Sequence, residues 1–497
     1  VLKRAFGLLA FLTLLSRFSG FIRVAIFASF FGSGPESDVF LTALFIPELM
    51  YRFLSEGLIS SAAVPIFVRQ KANPGQLQKS FWSIFWTVTA VSSVPIIGLE
   101  IFAEPLCRLL VPGFSEPGIS NLAHLWRIIA PYVLLSAQAA VMAAFLNARN
   151  HFAGPGLGPL VVNGTIIAGI LMANGGNLES IALSVSLGAV FQLIWLGWLT
   201  RGQGLVVDRA LSRASFCWDV IREFAANVAP ISLWIFLMPI VPVYERYLLS
   251  SQAVGSVSVL NYNEKLINLP LGIISISLAT VLFPSMSEAD EERRDRLLGA
   301  GLWALVAMLI PIFLVIQAGS DTLVDVVLRH GRFSVAETAL TAEFFRNYSF
   351  WILPSSVCLV LNRAFFARGN FRLPFFAGLL AIMTNILFDG WMVQHVGPSG
   401  VGFGAALAAA VQMILLFSGL AWTSGRNALL WSLPPILAAL LAFPLVKPVA
   451  LALAHLNIFF SPSGKWSELL LLAGLGAFLQ MLTGGIGAYF WRKTKVG

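Results

Sequence analysis

Two octapeptides carry the architecture: Ala148-Arg149-Asn150-His151-Phe152-Ala153-Gly154-Pro155 and Ala367-Arg368-Gly369-Asn370-Phe371-Arg372-Leu373-Pro374. Both read A-R-x-x-F-x-x-P and stand 219 residues apart. At the same offset Pro65 matches Pro284. Each octapeptide follows a long apolar stretch and precedes another, the fourth and the tenth in chain order. The repeat unit is therefore six spans, an even number, so both copies cross a membrane in the same sense. Parallel repeats of this kind imply a pseudo-two-fold along the membrane normal and a transporter with a central cavity between two six-helix lobes.

The composition around these turns belongs to a membrane. Of 497 residues, 58% are hydrophobic and 11% charged, against about 25% charged in a soluble domain. A water-soluble chain of this length has too little core to hide that apolar surface. A spanning helix needs about 20 apolar residues, and fourteen stretches qualify: 5–32, 38–68, 80–111, 122–147, 157–174, 179–200, 224–249, 257–284, 298–319, 341–367, 373–396, 400–422, 428–454 and 467–491. The first reads as a retained span and not a cleavable leader, since it exceeds the usual apolar length and carries Arg17 and Arg23. The expected fold class is an all-α polytopic membrane protein. An N-lobe occupies 1–200, a linker 201–223, a C-lobe 224–422, and two extra helices lie in 423–497.

Charge orients this layout. Nineteen of the 32 Lys and Arg residues fall in segments on the side of the N-terminus, five on the opposite side and eight inside spans. The positive-inside rule puts both termini in the cytoplasm. The formal charge of +8 is thereby a topological signal and gives no reason to invoke nucleic acid.

Ionisable groups at membrane depth cost about 2.5–3.5 kcal/mol each on insertion scales and mark functional positions. Arg17, Arg23 and Arg52 lie in the first two spans, with Asp38 opening the second. Glu48 and Glu56 stand four residues either side of Arg52, on one helix face. Two readings stand: the acids neutralise the arginines and lock the spans together, or the arginines line a cavity for an anionic substrate, since a guanidinium fork fits phosphate. Glu264-Lys265 in span 8 brings another cation, either as a neutral local pair or as a cavity residue. Asn385 and Asp389, four apart in span 11, form with Glu245 of span 7 a candidate cation site for Na+ or H+. The competing reading pairs Glu245 with Arg246 and leaves Asp389 as a cap. Pro230, Pro239 and Pro242 are expected to break span 7.

Enzymatic motifs are absent from the sequence: no GxxxxGK[ST] phosphate loop, no HExxH, five scattered histidines, and three distant cysteines without a CxxC pair. No cofactor or certain metal site is expected. Energy must come from a coupling cation, the membrane potential or substrate flow.

The stretch Ser16-Arg17-x-x-Gly20-x-x-Arg23, then Asp38 and Arg52-x-x-x-Glu56-Gly57, resembles the start of the MurJ (MviN) lipid II flippases. The resemblance continues through Asn147-Ala148-Arg149-x-x-Phe152 with Pro155, Pro159 and Asn163, through Tyr262-Asn263-Glu264-Lys265-Leu266 with Leu269-Pro270-Leu271-Gly272, and through Phe366-Ala367-Arg368 with Pro374. It implies the multidrug/oligosaccharidyl-lipid/polysaccharide exporter superfamily, with two lobes around a V-shaped cavity. It further implies a non-enzymatic flippase that moves the undecaprenyl-diphosphate peptidoglycan precursor from the cytoplasmic to the periplasmic leaflet of the bacterial inner membrane by alternating access. The family's cavity arginines fall on Arg17, Arg23 and Arg52 and its acids on Asp38 and Glu56. Its Asp-Arg pair in span 8 is Glu264-Lys265 here, where Lys lacks the bidentate fork. Spans 13 and 14 would hold a groove for the prenyl tail. Membrane lipids and cell-wall synthesis proteins are the other expected partners. A flippase for another prenyl-diphosphate oligosaccharide is the alternative. A cation-coupled drug antiporter fits less well, because it would want an acidic cavity where these spans offer arginines.

Overall fold

The computed structural model describes residues 2–51, 58–205, 216–237 and 239–442. Every element in it is helical, as a bilayer demands: without water, each backbone N–H and C=O needs a partner within the segment. The described residues form two compact units that divide in sequence between Ser258 and Val259.

The first unit opens with α1 (Leu2–Phe31), α2 (Pro35–Tyr51) and α3 (Ile59–Arg69), followed by α4 (Pro74–Leu110) and α5 (Glu116–Ala148). It continues with α6 (Ala153–Ala173), α7 (Leu178–Gly202), α8 (Trp218–Leu237) and α9 (Ile240–Ser250). Next come α10 (Ser256–Pro270), a π-helical stretch at Leu271–Ile276, α11 (Ser277–Glu288), α12 (Glu291–Leu328) and α13 (Val335–Ala367). The last described elements are α14 (Arg372–Val396), a short 3-10 turn at Pro398–Gly400 and α15 (Val401–Ala442). Ten helical segments among the described residues are long and apolar enough to cross a membrane. They coincide with expected spans 1, 3–6 and 8–12. Spans 2 and 7 are covered in part: α2 and α3 lie either side of residues 52–57, and α8 and α9 either side of residue 238, positions outside the described residues.

Some boundaries differ from expectation. In span 7 Pro239 is the residue before α9 and takes right-handed helical dihedrals, φ −77° and ψ −11°. Pro230 lies inside α8, and Pro242 lies in the first turn of α9, where a missing N–H costs no helical bond. Span 8 changes to π-helical winding directly after Pro270, a feature that frees backbone groups locally. No loop separates span 12 from the start of span 13, since α15 runs on to Ala442. Span 14, the rest of span 13 and the linker residues 206–215 lie outside the described residues.

The 219-residue echo extends to the helices themselves. Glu116–Ala148 and Val335–Ala367 have identical bounds at that offset. Each is capped by a serine, Ser115 or Ser334, whose hydroxyl accepts a first-turn backbone N–H. At the turns that follow, Asn150 (φ 62°) and Gly369 (φ 71°) both take the left-handed conformation. His151 N donates to Leu146 O at 2.9 Å and Asn370 N to Phe365 O at 3.0 Å, the same bond in both copies. The repeat therefore reaches atomic detail in the backbone.

An aromatic core holds the first unit together, with Phe67 of α3, Phe81 and Phe85 of α4, and Phe145 of α5 buried in one cluster. The α6–α7 pair is tighter, because small residues let the backbones approach: a Cβ on Gly188 would stand 3.2 Å from Val162 Cα.

Candidate functional site

The first unit carries a polar centre inside its apolar helices. Arg23 of α1 is only 8% exposed. Its Nη2 donates to Glu48 Oε1 of α2 at 2.5 Å and its Nη1 to Asn163 Oδ1 of α6 at 3.2 Å. Asn163 Nδ2 in turn donates to Ser19 Oγ at 2.9 Å. Gly20 packs beside that amide, with an ideal Cβ there in ordinary contact at 3.6 Å. One charged side chain is thus matched by a carboxylate and an amide, the arrangement that makes a buried guanidinium tolerable. One turn and a half earlier, Arg17 is half-buried. Among the described residues it has no acidic or hydrogen-bonding partner.

The ion pair of Arg23 with Glu48 fits the first of the two sequence readings, in which the acids neutralise the arginines. Glu48 neutralises Arg23 from another helix, whereas spacing alone grouped it with Arg52. Arg52 and Glu56 themselves lie outside the described residues. Asn163, the third member of the network, was not expected among the site residues. Its signal was available, as the one amide in the largely apolar run Gly158–Ile170.

Asp38 performs a separate task. Buried at 5% exposure, its carboxylate accepts from Gly255 N, Ser258 N and Ser258 Oγ, each at 2.7 Å. It caps the N-terminus of α10, where backbone N–H groups and the helix dipole favour an anion. Gly255 takes φ +93°, and a Cβ there would lie 2.5 Å from Ser33 O, so the two loops touch through backbone. Nearby in the same unit Glu245 and Arg246 are both buried. The Arg246 guanidinium stacks 3.5 Å from the Phe45 ring centroid and donates to Pro242 O at 3.0 Å.

The second unit holds the acidic cluster. Asn385 and Asp389 of α14 are 4% and 0% exposed. The Asn385 amide donates to Asp389 Oδ2 at 2.7 Å and accepts from Ala405 N at 3.2 Å. Gly404 of α15 makes the space, since a Cβ there would overlap Asp389 Oδ1. A second polar chain lies on α13, where Ser399 Oγ donates to Glu343 Oε1 at 2.6 Å and accepts from Asn347 Nδ2 at 3.0 Å. Glu264 and Lys265 of α10 are half-buried. No group of three or more His, Cys, Asp or Glu residues able to hold a metal occurs among the described residues.

The family model described as lipid II flippase MurJ matches residues 27–473. The chain belongs to the MurJ lipid II flippase family. Among curated relatives, a probable lipid II flippase MurJ of Buchnera aphidicola subsp. Acyrthosiphon pisum is 26% identical, covering 82% of this chain and 81% of the relative. Its counterpart in Vibrio cholerae is 25% identical, covering 82% of this chain and 81% of the relative. Among solved structures, a lipid II flippase MurJ in an inward closed conformation superposes with a TM-score of 0.80 at 20% identity, covering 98% of this chain and 99% of that one. An inward-facing multidrug resistance MATE transporter of the MOP superfamily superposes at 0.69 with 13% identity, covering 84% and 98%. The MurJ family consists of multi-pass membrane transporters and not enzymes, and the helical architecture described above is its fold. Within this MurJ scaffold the polar interior divides by unit, with the Arg23 network in the first and the Asn385–Asp389 pair in the second.

Proposed function

We propose that this chain moves lipid II from the cytoplasmic to the periplasmic leaflet by alternating access, with Arg17 as the cation that meets the diphosphate. The observation that carries this is the contrast inside α1: Arg23 is satisfied by Glu48 and Asn163, while Arg17, six residues before it, has no acidic or hydrogen-bonding partner among the described residues. Arg23 holds the charge and shape of the site behind it. Arg52 and Lys265 are the further cations of this reading. Glu56 and Glu264 are their accompanying acids, and Asp38 closes the outer end by capping α10.

The charge asymmetry of nineteen against five supports a cytoplasmic placement of both termini. That orientation supports the direction of transport as well. An anionic headgroup leaving an inside-negative cell gains about 2.3 kcal/mol per charge per 100 mV. Asn385 and Asp389 form the core of a coupling site for Na+ or H+ in this reading. In this reading residues 1–200 and 224–422 are the two lobes, 201–223 the linker, and 423–497 the tail groove.

The test is rescue of bacteria depleted of their own lipid II flippase, read as periplasmic exposure of labelled lipid II. The wild type is expected to restore exposure. Arg17→Ala at equal membrane abundance is expected to lose it by about tenfold or more, equivalent to about 1.4 kcal/mol. Full rescue by Arg17→Ala would assign the site a purely structural role.

A further inference from the structure

In two ion pairs among the described residues the guanidinium is about nine-tenths buried, and the two are built in opposite senses. In Arg368–Asp295 the carboxylate is the deeper member, 4% exposed against 11% for the arginine side chain. In Arg23–Glu48 it is the shallower one, 22% against 10%. The first pair is closed over its acid. The second presents its acid on the side from which an incoming anion would meet the arginine.

The other contacts of Arg23 are neutral and come from behind it. Its Nη1 donates to Asn163 Oδ1, and Asn163 Nδ2 donates to Ser19 Oγ at 2.9 Å and to Ser16 O at 3.5 Å. That chain ties the guanidinium to α6 and back to α1 without using Glu48. Glu48 itself is joined to the fork by one bond, from Nη2 to Oε1, where a guanidinium can grip two oxygens of one anion. Pro47, inside α2 and directly before Glu48, has no N–H to give to Ala43 O, so the turn that carries the acid lacks one of its ties.

We propose that Glu48 is an exchangeable counterion, which occupies Arg23 between substrates and yields it to the diphosphate of the headgroup. The exchange rests on the reading that an anionic headgroup enters at Arg17. It keeps Arg23 compensated at each stage, first by the carboxylate and then by the phosphate, as a buried guanidinium requires. It also acts on release. A displaced Glu48 remains tethered beside the site, and a tethered competitor works at a high effective concentration. Glu48 therefore sets how tightly the headgroup is held, and Arg23 becomes a second phosphate-binding cation once the acid has left.

The test is lipid II binding to the full-length protein in nanodiscs, read as Kd and as thermal unfolding with and without lipid II. Glu48→Gln keeps the length of the side chain and an oxygen for Arg23, and removes the competing charge. It is expected to bind lipid II about tenfold more tightly, equivalent to about 1.4 kcal/mol. The empty variant is expected to unfold at a lower temperature than the empty wild type, with the gap closing when lipid II is bound. Glu48→Asp keeps the charge but stops one methylene short of Arg23. It is expected to tighten binding by about threefold, and it carries the test if Glu48→Gln does not reach the membrane. A Kd that is unchanged or weaker in the folded variant overturns the proposal, because a purely neutralising Glu48 stays paired when substrate is bound. Arg17→Ala separates this from the reading beneath it. Weaker binding by Arg17→Ala beside an unchanged Glu48→Gln overturns the exchange alone, whereas unchanged binding by both variants overturns the reading together with the exchange.

Discussion

The two copies of the repeat agree in their backbones and disagree in their polar interiors. At the turns, Arg149 and Arg368 occupy equivalent positions with equivalent backbone bonds. Arg149 nevertheless lies over the Phe145 ring, 5.8 Å from its centroid, whereas Arg368 forms an ion pair with the buried Asp295. The position equivalent to Asp295 in the first copy is Gln76. Deeper in the membrane the divergence is complete. Asn163 of α6 serves a cation, and no acid stands on that helix, while α14 carries Asn385 and the buried Asp389. Caps, turns and helix lengths thus specify a scaffold that tolerates either sign of charge inside it.

The largest effect expected from this comparison is at the Arg368 turn. Asp295→Ala leaves a guanidinium with 11% side-chain exposure and no carboxylate. Breaking a buried pair costs about 3–5 kcal/mol, and the lower end applies because Arg368 also donates to Ala364 O at 3.2 Å. Gln76→Ala, at the matching site of the first copy, is exposed and is expected to change stability by less than about 0.5 kcal/mol. Thermal unfolding in detergent measures both. Equal losses would mean that the two turns are energetically alike despite their different partners.

A middle-sized effect tests the part of the comparison that predicts sameness. Ser115→Ala and Ser334→Ala each remove an N-cap, worth about 1 kcal/mol. Ser334 also belongs to a capping box with Glu337, so its loss should exceed that of Ser115 by a few tenths of a kcal/mol at most. Helix-resolved hydrogen exchange at the starts of α5 and α13 is the measurement. A loss confined to one copy would show that the shared bounds arise from packing and not from the caps.

How much of this was legible beforehand follows from which forces act locally. A four-letter echo located the repeat because turn chemistry is local: a left-handed residue, an aromatic and a proline in fixed order. Ten of the expected spans were readable in the described region because hydropathy is a property of each segment alone. That acids of span 2 could neutralise arginines of span 1 was readable, but not which acid meets Arg23: the pairing with Glu48 crosses from α2 to α1, and spacing within one helix carries no information about its neighbour. The π-helical stretch after Pro270 and the survival of α8 through Pro230 were hidden for a related reason. A proline removes one bond, and whether the helix breaks depends on what the surrounding helices offer instead.

The smallest expected effect exposes how the copies trade residues while keeping a contact. Arg127 and Arg346 are equivalent at the 219 offset, and each pairs with an acid of the preceding long helix: Glu100 at 3.9 Å and Asp321 at 2.6 Å. The two acids are not equivalent. Glu100 matches Gly319, the residue where α12 is kinked, and Asp321 matches Phe102, the residue where α4 is kinked. Each copy therefore places its kink where the other places its acid, two residues apart, and still brings a carboxylate to the same arginine. Both pairs are more than a third exposed on their arginines, so each is worth about 0–1 kcal/mol. Arg346 has the closer acid and a further bond to Ser320 Oγ at 2.9 Å. Arg346→Gln is accordingly expected to lower stability by about 1 kcal/mol and Arg127→Gln by less than about half of that. Both losses should shrink in high salt, which screens exposed pairs. A salt-insensitive loss at either position would mean that the arginine acts there through its stem packing, and the conserved contact would be one of shape and not of charge.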